Sequence, residues 1–208
     1  MTLASKFFSL FPACHLVSIF GALVWWIDSH SPIGLIIFLG AIYLFPLMCF
    51  RILNFFTPIK EGKSDILAKK FSPWWAGHQI QSLFIAVPAL EAVLKILPGF
   101  YTLWLRCWGS EIGKNVYWTP GSIHYDRNLL LVGDNVVFGE QSLTVCHVIT
   151  PKEGSAELSV AKVKIGENSF IGAAAVLSPG AVIDKNSFLK AGTRVYPFEH
   201  FQAKTRDK

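Results

Sequence analysis

The sequence predicts a mixed fold: an N-terminal transmembrane α-helical hairpin, then interfacial helices, then a solenoid of six-residue repeats. Three observations predict it. Residues 7–27 and 33–50 contain no Asp, Glu, Lys or Arg. The 208-residue chain is 52% hydrophobic and only 16% charged, with a mean hydropathy of +0.42, whereas a soluble domain carries about 25% charged residues. From Ile165 onward the sequence falls into sixes.

The two uncharged runs come first. Each is long enough to cross a hydrocarbon layer of ~30 Å. A cleavable signal peptide is the rival for the first run, but its apolar stretch is too long and no A-x-A-like cleavage site precedes DSHSP. The link from Asp28 to Pro32 has no Lys or Arg, while Lys6 lies on one outer flank and Arg51, Lys60, Lys63, Lys69 and Lys70 on the other. Cytoplasmic flanks collect Lys and Arg. Both ends of the hairpin, and everything after residue 51, are therefore expected in the cytoplasm of an integral protein of the cytoplasmic membrane. His15 in the first run is either functional, as ionisable groups in a membrane often are, or interfacial.

Residues 71–109 are apolar but interrupted by Gln79, Gln81, Glu91, Lys95 and Arg106, broken by Pro88 and Pro98, and flanked by Trp74, Trp75, Trp104 and Trp108. This is the composition of short helices lying in the interface with Trp at head-group depth. Two further spans are the competing reading. The expected organisation is a hairpin over 1–56, an interfacial helical collar over 57–108 and a repeat domain over 109–208.

The repeat reads IGENSF, IGAAAV, LSPGAV, IDKNSF, LKAGTR, VYPFEH. Its leading residues are Ile165, Ile171, Leu177, Ile183, Leu189 and Val195; the fifth residue is small until Glu199. A large aliphatic residue every six positions, with a small one four later, fits neither an amphipathic helix nor strand alternation. It fits a solenoid whose flat faces are one hexad wide, each aliphatic group stacking on its equivalent in the next coil. IGKNVY (112–117), VGDNVV (132–137), FGEQSL (138–143) and TVCHVI (144–149) share the frame. The count holds through 165 if about nine residues near Thr150–Leu158 leave as a loop. His147, fourth in its hexad, then faces outward beside that loop.

These residues resemble the hexapeptide-repeat acyltransferases over roughly 109–200. That resemblance implies a left-handed parallel β-helix of three hexads per coil. It also implies a histidine beside an extruded loop as general base, a position that His147 matches, and a homotrimer with sites between subunits. The stretch PALEAVLKILPGFYTLWLRCWGSEIG running into GSIHYDRNLLLVGDNVVFG, with its Cys-His dipeptide, is also similar to the membrane-associated acyltransferase-like modules of poly-amino-acid synthetases.

Acyl transfer from a thioester to an amine or hydroxyl needs a base for the nucleophile's proton and donors for the oxyanion. Imidazole titrates near the working pH, so His147 is the candidate base; a surface histidine without a task is the alternative. Cys146 could bind substrate or be an acylated nucleophile, although adjacent strand residues face different ways. His124 and Asp126, in GSIHYDRN, could orient His147, bind the acceptor, or sit in a solvated turn. His200 reads as an end cap. No metal is expected, because the excursion TPKEGSAEL offers no histidine to complete a three-histidine site. No bound cofactor is expected either; acyl-CoA or a phosphopantetheine-linked acyl group is the donor, possibly on a carrier protein.

Cys14, Cys49, Cys107 and Cys146 form no CxxC pair, so reduced thiols in a cytosolic setting are the default. A net charge of +5 suits a surface facing anionic lipid, and nothing in the pattern suggests nucleic acid. The runner-up to a membrane-anchored acyltransferase is a non-catalytic β-helix scaffold that binds a carrier protein or other partner at the membrane.

Overall fold

The computed structural model describes residues 2–202; Met1 and residues 203–208, which fall in the expected first and last domains, lie outside the described residues. The chain divides into two compact units. One is the chain up to Ile59 together with Leu67–Ala86, and the other is Lys60–Ile66 together with the chain from Val87 onward.

The first unit is helical. It comprises α1 (Leu3–Ser9), α2 (Phe11–Ser29), α3 (Pro32–Leu39), a π-helical turn (Gly40–Leu44) and α4 (Phe45–Phe56), and α5 as described below. Thr2 caps α1 by accepting from the Ser5 amide, and Ser31 caps α3 ahead of Pro32, both usual start signals. His30, in the left-handed region at φ 50°, ends α2. Among the described residues, two helices, Leu3–Ser29 and Pro32–Phe56, are long and apolar enough to cross a membrane. Gly34 lets them touch, since a Cβ there would lie 2.8 Å from Trp26 Cα; small residues allow this approach in membrane helix pairs. His15 is buried and its Nε2–H donates to the Ala41 carbonyl in the π turn. That gives the imidazole a structural partner inside the helical unit.

The helices of the collar fall into different units. After the linking strand β1 (Gly62–Asp65), α5 (Pro73–Ala86) belongs to the first unit, where Gly77 seats against the buried ring of Phe50. Helices α6 (Ala89–Ile96) and α7 (Phe100–Trp108) belong to the second, joined by Gly99 at φ 81°.

The rest of the second unit is a solenoid of parallel strands. Its first coil is β2 (Glu111–Ile112), β3 (Tyr117–Trp118) and β4 (Ile123–His124). The second is β5 (Leu130–Val132), β6 (Val137–Phe138) and β7 (Leu143–Thr144). An excursion, β8 (His147–Lys152) and β9 (Ser155–Val160), intervenes. The third coil is β10 (Val163–Ile165), β11 (Phe170–Ile171) and β12 (Val176–Leu177). The fourth is β13 (Val182–Ile183), β14 (Phe188–Leu189) and β15 (Arg194–Val195), before a last strand β16 (His200–Phe201). Successive coils pair in parallel on three faces, which makes a parallel β-helix with its core inside the triangle of sheets.

The stacking register follows from the pairing. Ile112, Val132, Ile165 and Ile183 align on one face. Trp118, Phe138, Ile171 and Leu189 align on the second, and His124, Thr144, Leu177 and Val195 on the third. The six aliphatic positions read from the hexads are all buried. One corner turns on Asn115, Asn135, Asn168 and Asn186, all with φ between 54° and 59°. Asn tolerates this left-handed backbone, and here each Nδ2 donates to the Oδ1 of the next, at 3.2, 3.0 and 3.3 Å.

The excursion differs from the sequence expectation. It starts at His147 itself and ends at Val160 as an antiparallel hairpin, with β1 added along β9. Thr150–Leu158 is therefore its outer part only. Val148, Ile149 and Thr150 favour extended backbone, and the two arms pair without a gap from His147 opposite Val160 to Lys152 opposite Ser155, so the segment is a hairpin rather than a loose loop.

Candidate functional site

The site is built where the solenoid departs from its repeat. From Val132 to Thr144 the leading residues come every six positions, but His124 and Val132 are eight apart. The enlarged corner turns on Asp126, a non-glycine residue at φ 57°, whose carbonyl accepts from Leu129 N at 2.8 Å. This turn carries a buried carboxylate to the level of the next coil, where the hairpin leaves the wall.

There Oδ2 of Asp126 lies 2.6 Å from Nδ1 of His147 and accepts from the Cys146 amide at 3.0 Å. Asp126 is buried, and the His147 side chain is 17% exposed. A carboxylate on Nδ1–H fixes the tautomer that leaves the lone pair on Nε2. The pair has the two elements a general base needs: an oriented imidazole and a carboxylate to stabilise the imidazolium.

The corner is braced from the helices. Arg127 is buried and meets Glu91 of α6 in a two-point ion pair, Nε to Oε1 at 2.7 Å and Nη2 to Oε2 at 2.6 Å. Trp104 of α7 donates its indole N–H to the same carboxylate at 2.8 Å. Ser110 joins the bracing, donating its hydroxyl to the Arg127 carbonyl at 2.7 Å and accepting from Leu130 N at 2.9 Å. Glu91 and Arg127 were not among the residues singled out from sequence as a site. The signals were a lone acid in an apolar helix and a DR dipeptide at an irregular corner.

Of the four candidate residues, the structure brings the side chains of His147 and Asp126 together, with the backbone amide of Cys146 beside them. It gives His124 another place. That side chain occupies an inward stacking position and is fully buried. Its Nδ1 is 2.9 Å from Thr144 Oγ1 and its Nε2 3.1 Å from Ser122 Oγ. Its ring stands edge-on to Trp118 and Phe138. Burial, reinforced by the charges of Lys95 and Arg127, holds it well below the ordinary histidine range, so it is a neutral core group. With both nitrogens engaged inside the coil, His124 has no route to an acceptor and does not touch His147.

Cys146 is likewise core. Its thiol donates to the Leu129 carbonyl at 3.4 Å, and burial, then the charge of Asp126, pushes it well up. A thiolate nucleophile is disfavoured there; what Cys146 supplies is the backbone N–H that holds Asp126. His200, read as an end cap, sits on the last strand with Nε2 2.6 Å from Asp184 Oδ1, largely exposed.

No family model matches the chain, and neither does any curated protein. Solved structures do resemble it. A hexapeptide-repeat-containing acetyltransferase from Vibrio cholerae is 13% identical at a TM-score of 0.44, covering 58% of this chain and 84% of its own. A maltose O-acetyltransferase from Clostridium difficile is 18% identical at 0.35, covering 55% and 78%. A galactoside acetyltransferase in complex with coenzyme A is 15% identical at 0.37, covering 55% and 73%.

Proposed function

We propose that the protein is a membrane-anchored acyltransferase with a left-handed β-helix as its catalytic domain. It moves an acyl group from a thioester, on coenzyme A or a carrier's phosphopantetheine, to an amine or hydroxyl. The observation that carries this reading is the buried Asp126 carboxylate held 2.6 Å from His147 at the root of the extruded hairpin.

In the reaction, Nε2 of His147 takes the proton as the acceptor attacks the thioester carbonyl, and Asp126 stabilises the imidazolium. Collapse of the tetrahedral intermediate expels the thiolate, which takes the proton back from His147. The acceptor gains the acyl group and the free thiol departs, so atoms and charge balance.

Membrane anchoring is supported by the two long apolar helices, with both hairpin ends read as cytoplasmic from the Lys and Arg flanks. The expected domain limits, 1–56, 57–108 and 109–208, belong to this reading, as do a homotrimer with shared sites and the kinship with poly-amino-acid synthetase modules. Reporter fusions at Ser29 and after Lys208 test the orientation; a C-terminal fusion outside would reverse it. Native mass measurement tests the trimer, and a monomer removes shared sites.

Single-turnover acyl transfer from a thioester donor, comparing wild type and His147→Ala in the same detergent, tests the chemistry. His147→Ala should lose turnover while keeping its fold. Full activity in that variant would place the base elsewhere. A wild type that never consumes a donor would favour a non-catalytic scaffold.

A further inference from the structure

We propose that the cleft between the α6–α7 turn and the first coil binds the headgroup of an anionic phospholipid. The proposal rests on the membrane-anchored reading and is independent of acyl transfer. The cleft measures about 740 Å³, and its walls include Lys95, Arg106 and Lys114 along with Leu97, Tyr117 and Trp118. No Asp or Glu lines it.

What distinguishes Lys95 and Arg106 is how they are held. Lys95 donates to the carbonyls of Ser122 and Pro120, with its ammonium 4.6 Å from the centre of the Tyr101 ring. Arg106 donates from Nε and Nη2 to the Ile112 carbonyl at 2.9 and 2.6 Å, and from Nη2 to Gly113 at 2.8 Å. These acceptors are neutral. They fix the side chains in place without cancelling charge, and none of the three cations makes an ion pair among the described residues.

The carboxylates whose charge reaches Lys95 have other work. Glu91 is bonded to Arg127 and Trp104, and Glu140 accepts from the Gly121 amide at 3.3 Å. Burial pulls Lys95 down to about 8 despite them. A charge taken out of water without a paired partner is costly, and a phosphate in the cleft supplies that partner. The hydroxyl of Tyr101, which lines the same cleft, is buried without a hydrogen-bond partner among the described residues.

The rest of the ligand is indicated by apolar surface. Ile96 and Leu97, in one wall of the cleft, are 67% and 48% exposed, and on the adjoining α7 Phe100 is 55% and Leu103 58% exposed. A soluble anion would leave this apolar patch in water. A phosphodiester carrying two acyl chains covers both features, with phosphate against the cations and tails along the turn.

The test uses the full chain in a neutral detergent, reading thermal unfolding and native mass. It is titrated in turn with dioctanoyl phosphatidylglycerol, dioctanoyl phosphatidylcholine, inorganic phosphate and coenzyme A. Phosphatidylglycerol should bind and raise the unfolding midpoint, phosphatidylcholine should not, and neither soluble phosphate should displace the lipid. Lys114 is tied to the fold through its backbone amide, which donates to Asp134 Oδ1 at 2.7 Å, so Lys114→Ala and Lys114→Glu should keep the lipid-free midpoint. Lys114→Ala should weaken phosphatidylglycerol about fivefold, the effect of one basic residue at an anionic surface, and Lys114→Glu by more.

Equal binding of the two lipids, displacement by phosphate or coenzyme A, or an unchanged affinity in Lys114→Glu would each overturn the assignment. Release of the chain from native membranes by alkaline carbonate would instead remove the membrane reading. That measurement is separate from the titration, so the two failures are distinguishable.

Discussion

Coils three and four of the β-helix stack Ile165 on Ile183, Ile171 on Leu189 and Leu177 on Val195. Coils one and two instead place Trp118 against Phe138 and His124 beside Thr144. The later coils are uniform, with aliphatic stacks spaced by small residues such as Ala175 and Ala181, all buried. The earlier coils carry polar side chains inside, an enlarged corner and an extruded hairpin. The difference shows where the fold departs from what stacking alone requires. A strict hexad keeps its leading positions aliphatic and its fifth positions small, as with Ser169, Ala175, Ala181 and Ser187, so it has no place for a buried carboxylate aimed at an imidazole. The Asp126–His147 pair exists because the repeat is broken twice within two coils.

The largest effect should come from breaking the irregular half. His147→Ala should lower single-turnover acyl transfer by ~10²–10⁴-fold, the range for a lost acid–base group. Asp126→Asn should fall within the same range, because an amide can no longer select the Nδ1–H tautomer. If Asp126→Asn retained wild-type turnover while His147→Ala did not, orientation by Asp126 would be dispensable.

Next in size is the brace behind that corner. Glu91→Gln leaves Arg127 buried without its carboxylate, which costs ~3–5 kcal/mol when a buried pair loses one partner. Thermal or denaturant unfolding in detergent reads it. A cost under ~1 kcal/mol would mean that the pair is solvated in a way its 1% and 5% side-chain exposures exclude.

The regular half was legible in the sequence because its rule is local: a large aliphatic residue every six positions can be counted without knowing what it touches. The second coil counts in the same frame, Thr144 included, but in the first coil Trp118 and His124 at leading positions hide it, and the two-residue enlargement after His124 breaks the count. That is why His124 read as a surface candidate although it stacks inside. His147 was legible as the last hexad residue before an excursion. Asp126 could be named but not assigned, because its role depends on a φ of 57° and on a contact twenty-one positions away. The Glu91–Arg127 pair was illegible for the same reason: it joins a helix to a corner thirty-six positions on.

In the regular half the prediction is one of packing. Ala175 is fully buried at a fifth hexad position, so Ala175→Leu should overpack the third coil and cost ~1–3 kcal/mol. The unfolding midpoint checks it, and an unchanged midpoint would mean that the coil has slack which the aliphatic stacks do not suggest. The same substitution should leave the His147 chemistry intact, which separates the two halves experimentally.

The smallest effect concerns the polar interior of the first coil. Burial keeps His124 neutral, with a pKa well below the usual value of 6.5. Above pH 6.5 the imidazole is neutral both folded and unfolded, so its titration does not affect stability. Below pH 6.5 the unfolded chain takes up a proton that the folded chain refuses. Stability is therefore lost as pH falls, by up to ~1.4 kcal/mol per pH unit for one proton, until the folded pKa is reached. His124→Leu removes this group and also leaves Thr144 Oγ1 and Ser122 Oγ without the imidazole, so its absolute stability is a poor readout. The informative quantity is the slope of the unfolding midpoint between pH 7 and pH 5, which should be shallower in His124→Leu than in wild type. Identical slopes would mean that His124 takes up a proton as readily folded as unfolded, and the contrast between a neutral interior histidine and the base proposed at the hairpin root would have to be abandoned.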